Sequence, residues 1–245
     1  MNMSFYTAAV GARQQQLRLD VQAHNIANVN TYGYKAQKPS FSSLMYGNIL
    51  GIDQEELPRG TGAVMSMAEV DSDTSGHLAD TGRSQDYAIV GDGYFGLYDP
   101  VTGEVSYTRD GSFVYAGYQR PNEDGELEQV YMLSDGLGRF VLNDRGALLE
   151  VTGDDPDKRQ PVGVFDFVNT DGFVRLSDNR YVPVDKNGQV RFGTGVVQQY
   201  ALESSNTDLA EQITKVIEAQ RSFTYALKMV QTSDELESTT NSLRT

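Results

Sequence analysis

The sequence predicts an α+β multidomain protein. Long N- and C-terminal helices pair as a coiled-coil-like unit, and a central all-β, antiparallel domain lies between them in the chain. Three observations carry this reading. Both ends repeat apolar residues at three- and four-residue steps. The region between them breaks into short β-type runs separated by glycine and Asx turns. The net charge of −14 falls entirely on residues 36–204, while the two ends nearly cancel. The predicted division is a helical inner (assembly) domain from 1–35 with 205–245, an extended connection over 36–70, and an acidic β domain over 71–204.

The N-terminal helix is expected from Ser4, as N-cap, to about Val29. The stretch has no proline and one glycine, Gly11. Phe5, Ala8, Ala12, Leu19, Ala23 and Ile26 form one apolar stripe, with Val10, Leu17 and Val21 beside it, which makes a broad buried face. "NVNTYG", residues 28–33, is a turn that stops it. Asn25, Asn28, Asn30 and Thr31 crowd this end. Amides here serve as caps and turn formers, or as hydrogen-bonding contacts to a neighbouring subunit, and one side chain can do both.

The stretch 36–70 contains Pro39, Pro58 and "RGTGA" and reads as extended and partly irregular. From 71 to about 202, runs such as "DYAIV", "YFGLYD", "VSYTRD", "QVYML" and "GVFDFV" alternate with "NEDGE", "NDRG", "NTDG" and "DKNG". That spacing suggests an antiparallel sandwich or barrel-like domain.

The C-terminal helix opens on a capping-box pattern, Ser205 with Asp208. Leu209, Ile213, Val216, Gln220, Phe223, Leu227 and Val230 then alternate steps of four and three, an a/d seam with one polar interruption; Ile217 and Met229 widen it. Running to about Ser238, roughly 32 residues at 1.5 Å each would span about 48 Å, a length that suggests a coiled coil or assembly element. Two helices alone leave much apolar surface uncovered, so further copies of the chain are the expected partners.

Enzyme chemistry finds little support. "YAIVGDGYFGLYDP", residues 87–100, contains G-x-G-x-x-G at Gly91, Gly93 and Gly96, but a dinucleotide site needs a helix next. Asp99-Pro100 and Gly103 forbid one, and a bend or hairpin with positive-φ glycine is the alternative. His24 and His77 lack metal-ligand spacing, and the Asx turns place Arg120 and Pro183 where calcium ligands would stand. Asp154, Asp155 and Asp157 read as a solvated turn with Pro156 rather than an acid/base cluster. With no cysteine there is no disulfide, thiolate nucleophile or cysteine zinc site. The acidic balance argues against nucleic acid, and no stretch of the chain approaches the roughly 20 apolar residues of a membrane helix. The start has no basic leader followed by an apolar run, so no cleaved signal peptide is expected. Catalytic, cofactor and metal sites, and a small-molecule substrate, are not expected.

"AHNIANVNTYGYK", residues 23–35, resembles the N-terminal signature of bacterial flagellar rod and hook proteins, approximately A-N-N-[LI]-A-N-x-x-T-x-G-[FY]-K. Asn25, Ala27, Asn28, Thr31, Gly33 and Lys35 match, and His24 replaces the first asparagine. "SGHLADTGRSQDYAIVGDGYF" is similar to the family's central motif through Gly76, Leu78, Thr81, Gly82, Asp86, Ala88, Ile89, Gly91, Gly93 and Phe95; Ser75, Gln85 and Tyr94 depart from it. "YTRDGSF", residues 107–113, matches at Tyr107, Thr108, Arg109, Asp110, Gly111 and Phe113. "LESSNTD" resembles L-E-x-S-N-V-D through Glu203 and Asn206, with Thr207 for valine; Gln220, Arg221, Gln231, Thr232 and Asp234 match the helix that follows.

The resemblance implies a structural subunit of the flagellar basal-body rod, distal rod before proximal rod or hook, whose terminal helices pair into an inner domain and stack many copies into a helical axial tube. It implies copies of itself and neighbouring rod or hook subunits as partners, and the flagellar type III export apparatus as the route out of the cell. The interface residues expected on this basis are Phe5, Ala12, Leu19, Asn25, Ile26, Asn28, Leu209, Ile213, Val216, Gln220, Phe223, Leu227 and Val230. Phe223→Asp or Leu227→Asp should block incorporation while leaving the β domain folded. The reading from another class is a secreted carbohydrate-active enzyme or adhesin with helical tails, whose activity would survive deletion of both tails.

Overall fold

The computed structural model describes residues 3–43, 46–50, 56–60, 63–71, 74–121, 127–151 and 158–243. Two compact units are present. Unit 1 comprises Met1–Ala27, Gln37–Glu69 and Asp208–Thr245; unit 2 comprises Asn28–Ala36 and Val70–Thr207.

Unit 1 holds two helices, α1 (Met3–Ala27) and α2 (Leu209–Ser242). The run "ARQQQLRL" within α1 consists of strong helix formers, and the turn at 28–33 ends the helix, with Thr31 N donating to Asn28 O. Ser4 lies inside α1, so it is not the N-cap. For α2 the N-cap is Asp208, whose carboxylate accepts from Ala210 N at 2.8 Å and Glu211 N at 3.2 Å. The expected box beginning at Ser205 does not form. Ser205 instead takes Thr207 N in a local turn, because a carboxylate next to the first turn satisfies two free N–H groups at once. Both helices pack against each other, and α1 also touches β1.

The stretch 37–70 holds four strands, β1 (Gln37–Ser43), β2 (Tyr46–Leu50), β3 (Glu56–Gly60) and β4 (Ala63–Val70), paired β1 with β4 and β2 with β3.

Unit 2 is built from short strands in chain order: β5 (Leu78–Asp80), β6 (Tyr87–Val90), β7 (Tyr94–Tyr98), β8 (Val105–Thr108), β9 (Val114–Pro121), β10 (Leu127–Ser134), β11 (Phe140–Val141), β12 (Val164–Asp166), β13 (Val174–Arg175), β14 (Arg180–Val182), β15 (Arg191–Phe192), β16 (Val196–Gln199) and β17 (Ala201–Glu203). Every pairing among them is antiparallel. One sheet runs β13-β14-β8-β7-β11-β10-β9, with β12 and β15 branching from β7. Two ribbons, β16 with β6 and β17 with β5, complete the unit.

The centre is β7, buried along nearly its whole length. Alternate residues face opposite sides, as a strand requires. Phe95 and Leu97 enter one core with Ile89, Phe113, Leu133, Val141 and Val197. Tyr94 enters a second, aromatic core with Tyr107, Phe165, Phe167, Phe173 and Tyr181, where rings meet edge-on at centroid distances such as 4.8 Å and 5.0 Å.

The G-x-G-x-x-G motif at residues 91–96 begins in a bend. Gly91 and Gly93 have φ of +101° and +124°, and β6 and β7 on either side join different sheets. A Cβ on Gly93 would sit 2.4 Å from Val164 Cγ1. The next element is the strand β8, so no helix N-terminus faces the glycines. "DKNG" also does other work than metal binding. Asn187 is fully buried, takes Val184 N, and donates to the carbonyls of Asn169 and Asp171. Asp154, Asp155 and Asp157, and the "NEDGE" turn, lie outside the described residues.

Candidate assembly surfaces and the motif cluster

Within unit 1 the helices run antiparallel. Arg18 meets Glu218 at 3.5 Å, and Asn25 donates to Gln212 Oε1 at 3.2 Å, so numbers rise along one helix as they fall along the other. On α2, with Lys215 and Ser222 half-buried beside it, the withdrawn line is Gln212, Val216, Ala219, Phe223, Ala226, Val230 and Ser233. Their steps alternate four and three, a heptad pattern. The sequence-predicted stripe shares Val216, Phe223 and Val230 with it. The remainder of that stripe, Leu209, Ile213, Gln220 and Leu227, lies on the neighbouring flank and is exposed.

Hydropathy chose the apolar flank. The structure combines Val216, Phe223 and Val230 with small and polar residues, since Ala219 and Ala226 let the helices approach and Gln212 answers Asn25. Sequence reasoning missed Gln212, Ala219, Ala226 and Ser233; their own seven-residue spacing was the available signal.

On α1, Ala12 and Asn25 are buried, Leu19 and Ile26 half-buried, and Phe5 exposed. The buried set also includes Gln14, Val21 and Gln22, so the seam on this helix is largely polar. Asn25 closes its end. It donates to Gln37 O at 2.8 Å, and Gln37 N donates back to its Oδ1 at 2.8 Å. Asn28 is half-buried in the following turn, where Thr31 Oγ1 donates to its Oδ1. Beyond Ser233, every described residue of α2 is exposed, Leu236 included. Arg221 is exposed on the same helix.

The motif residues of unit 2 converge. Lys35, Arg109 and Glu203, from three separate motifs, are 1 %, 3 % and 2 % exposed. Lys35 Nζ donates to Glu203 Oε1 at 2.8 Å and Arg109 to Oε2 at 3.1 Å. Gly76 N adds a third hydrogen bond to the carboxylate. Arg109 also donates to the carbonyls of Ile89 and Gly91 and lies over the Tyr94 ring. Burial lowers the Lys35 ammonium pKa from its ordinary value; the neighbouring Glu203 carboxylate opposes that and Arg109 reinforces it. Asn206 accepts from Ala36 N at 2.7 Å and donates to Asp71 O and Thr74 O.

Gly33, at φ +64°, rests on the Arg109–Asp110 peptide, and its N–H donates to Glu203 O at 2.7 Å. Thr108 and Asp110 organise their own turn through Asn179 O, Asp110 N and Ser112 N. Thr81 N donates to Tyr200 O, Gly82 N to Asp80, and Asp86 is buried beside Arg83. Tyr107 and Phe113 fill the two cores, while Gly111 takes Tyr87 N on its carbonyl. Among the described residues no group of His, Cys, Asp or Glu is arranged to hold a metal ion.

This cluster fixes chain segments to each other; it presents no nucleophile–base pair. Residues 5–35 match the family model described as flagella basal body rod protein, and residues 198–243 match the C-terminal model of flagellar basal body rod FlgEFG proteins. The flagellar basal-body rod protein FlgG of Buchnera aphidicola subsp. Baizongia pistaciae is 30 % identical over 95 % of this chain and 96 % of its own length. This chain belongs to the flagellar basal-body rod protein family. FlgG of Caulobacter vibrioides is 30 % identical over 97 % of this chain and 98 % of its own length, and that of Agrobacterium fabrum 31 % over 94 % and 95 %.

The rod protein is therefore a structural subunit of the bacterial flagellum, from a family of structural proteins and not of enzymes. Membership implies assembly with other rod or hook subunits. The carbohydrate-active enzyme and adhesin readings have no support from these relatives. No described helix is long and apolar enough to cross a membrane.

Proposed function

We propose that the rod protein polymerises through its terminal helices into the axial tube of the basal body, in the distal rod. The observation that carries this is the division of labour on α2. Val216, Phe223 and Val230 with the small and polar Gln212, Ala219, Ala226 and Ser233 form the withdrawn line, while Leu209, Ile213, Ile217 and Leu227 form an adjacent flank and remain 42–47 % exposed. Phe5 and Tyr6 are likewise exposed on α1. Fully burying one such side chain contributes about 1.5–3 kcal/mol, and these have roughly half that still to gain from a neighbouring copy.

Gln15 Oε1, Arg18 Nε and Gln22 Oε1, at three- and four-residue steps along α1, are withdrawn from water without a hydrogen-bond partner. They offer groups that a neighbour can satisfy. In this reading α1 and α2 form a coiled-coil-like unit, and Val216, Phe223, Val230, Ala12, Leu19 and Ile26 hold it together. Leu209, Ile213, Gln220, Leu227 and Phe5 meet other subunits, and Asn25 and Asn28 fix the entry to the pair. Similarity to relatives named FlgG over nearly the full chain favours the distal rod. The subunit would leave the cell through the flagellar export apparatus.

Leu227→Asp and Ile213→Asp place a charge on the exposed flank. Each should abolish assembly, read by sedimentation and by incorporation into basal bodies, while circular dichroism stays unchanged. Normal assembly of both variants refutes the reading. Basal bodies from a strain lacking the chain should end in a truncated axle below the hook; an axle complete to the hook refutes the distal position.

A further inference from the structure

Three of the buried charges of unit 2 come from widely separated parts of the chain. Lys35 lies in the segment that enters the unit, Arg109 follows β8, and Glu203 is the last residue of the last strand, β17. Glu203 is 168 residues from Lys35 and 94 from Arg109 along the sequence. The same last segment closes the unit elsewhere. β16 pairs with β6, and β17 with β5. Glu203 O takes Gly33 N, and Asn206 N donates to Tyr34 O.

A buried ion triad offsets its desolvation only when every partner is in place. Here the partners include the carbonyls of Ile89, Gly91 and Thr74, the Gly76 N–H and the Tyr94 ring. Ile89 lies on β6, Tyr94 on β7 and Gly91 in the bend between them, while Thr74 and Gly76 precede β5. Contacts across such long loops also form late, because the closure entropy precedes any gain.

We propose that the Lys35–Glu203–Arg109 triad is a completion lock: unit 2 closes as the final step of its folding, when its last strand delivers the carboxylate that both cations require. A chain that stops before Glu203 leaves both cations without that carboxylate, so the unit senses whether its own sequence is complete. Asp71 adds a weaker attraction to Lys35 than Glu203 does.

The test uses full-length variants and unit 2 tyrosine fluorescence, with folding and unfolding rates measured in denaturant. Glu203→Gln keeps the shape and removes the charge. It should raise the unfolding rate more than about a hundredfold and leave the folding rate within about twofold, since a late contact acts on the unfolding limb. Lys35→Met should destabilise the parent chain yet restabilise Glu203→Gln, because it removes a cation that has lost its carboxylate. A folding rate that falls by the same factor as the equilibrium constant means the triad forms early and overturns the proposal. So does strict additivity of the two substitutions. Should Glu203→Gln fail to fold, recovery of the fold in the Lys35→Met/Glu203→Gln variant supports the lock, and no recovery overturns it.

Discussion

Asn25→Ala probes how the helices of unit 1 are registered. Asn25 is fully buried and exchanges hydrogen bonds with both backbone groups of Gln37 and with Gln212 Oε1. Removing the amide leaves three groups without their partner. A buried polar group so orphaned costs about 1–3 kcal/mol. Gln212 is 4 % exposed and bears the full cost; Gln37 is half-buried, so water recovers part of its share. The sum is about 3 kcal/mol, or roughly 150-fold in the opening equilibrium of the helix pair. Amide hydrogen exchange along the C-terminal half of α1 measures it directly. Asn28→Ala, in the half-buried turn, should shift exchange by less than about fivefold. Combining Asn25→Ala with Gln212→Ala should cost less than the two singly, because they share one bond. Exchange unchanged in Asn25→Ala, or full additivity with Gln212→Ala, would show that hydrophobic burial alone sets the register.

Two further predictions concern unit 2. Gly33→Ala puts a Cβ 2.3 Å from Asp110 N at a φ of +64°; the clash is with backbone, so the variant should lose more than about 3 kcal/mol, read from its urea midpoint. A loss under about 1 kcal/mol, the cost of the left-handed conformation alone, would show that the two segments are not in contact. At alkaline pH the tyrosines dominate. Burial pushes the Tyr181 phenol up to about 12 and also raises Tyr94, Tyr87 and Tyr107. Their stabilisation is complete below the unfolded value of about 10 and is lost as pH rises through the folded values, with Tyr181 alone contributing about 2–3 kcal/mol. Lys35 acts in the opposite sense: its folded pKa is lowered, so its contribution improves with pH until the unfolded value of 10.5. Tyrosinate absorbance should therefore rise in two steps, the later one coincident with unfolding; a single early step would contradict the burial of these rings.

The sequence by itself determined the parts whose physics is local or periodic. Helices at both ends follow from three- and four-residue apolar steps, and the β character of the middle follows from short runs cut by glycine and Asx turns. The rejection of a dinucleotide site needed only Asp99-Pro100 and Gly103. The rod-family signature was legible because its residues stand in order along the chain. Tertiary structure decided which residues meet. The seam on α2 could not be read from hydropathy, because Leu209 and Gln212 flank the same shared residues and only the partner helix, with Asn25 at its end, selects between them. The cap of α2 moved from Ser205 to Asp208, where two free N–H groups needed an acceptor. Lys35, Arg109 and Glu203 stand in three separate motifs of the sequence, and nothing along the chain shows that they meet. Their meeting depends on strands folding across nearly the whole of unit 2, since electrostatic partnership is set by distance in space and not by separation along the chain.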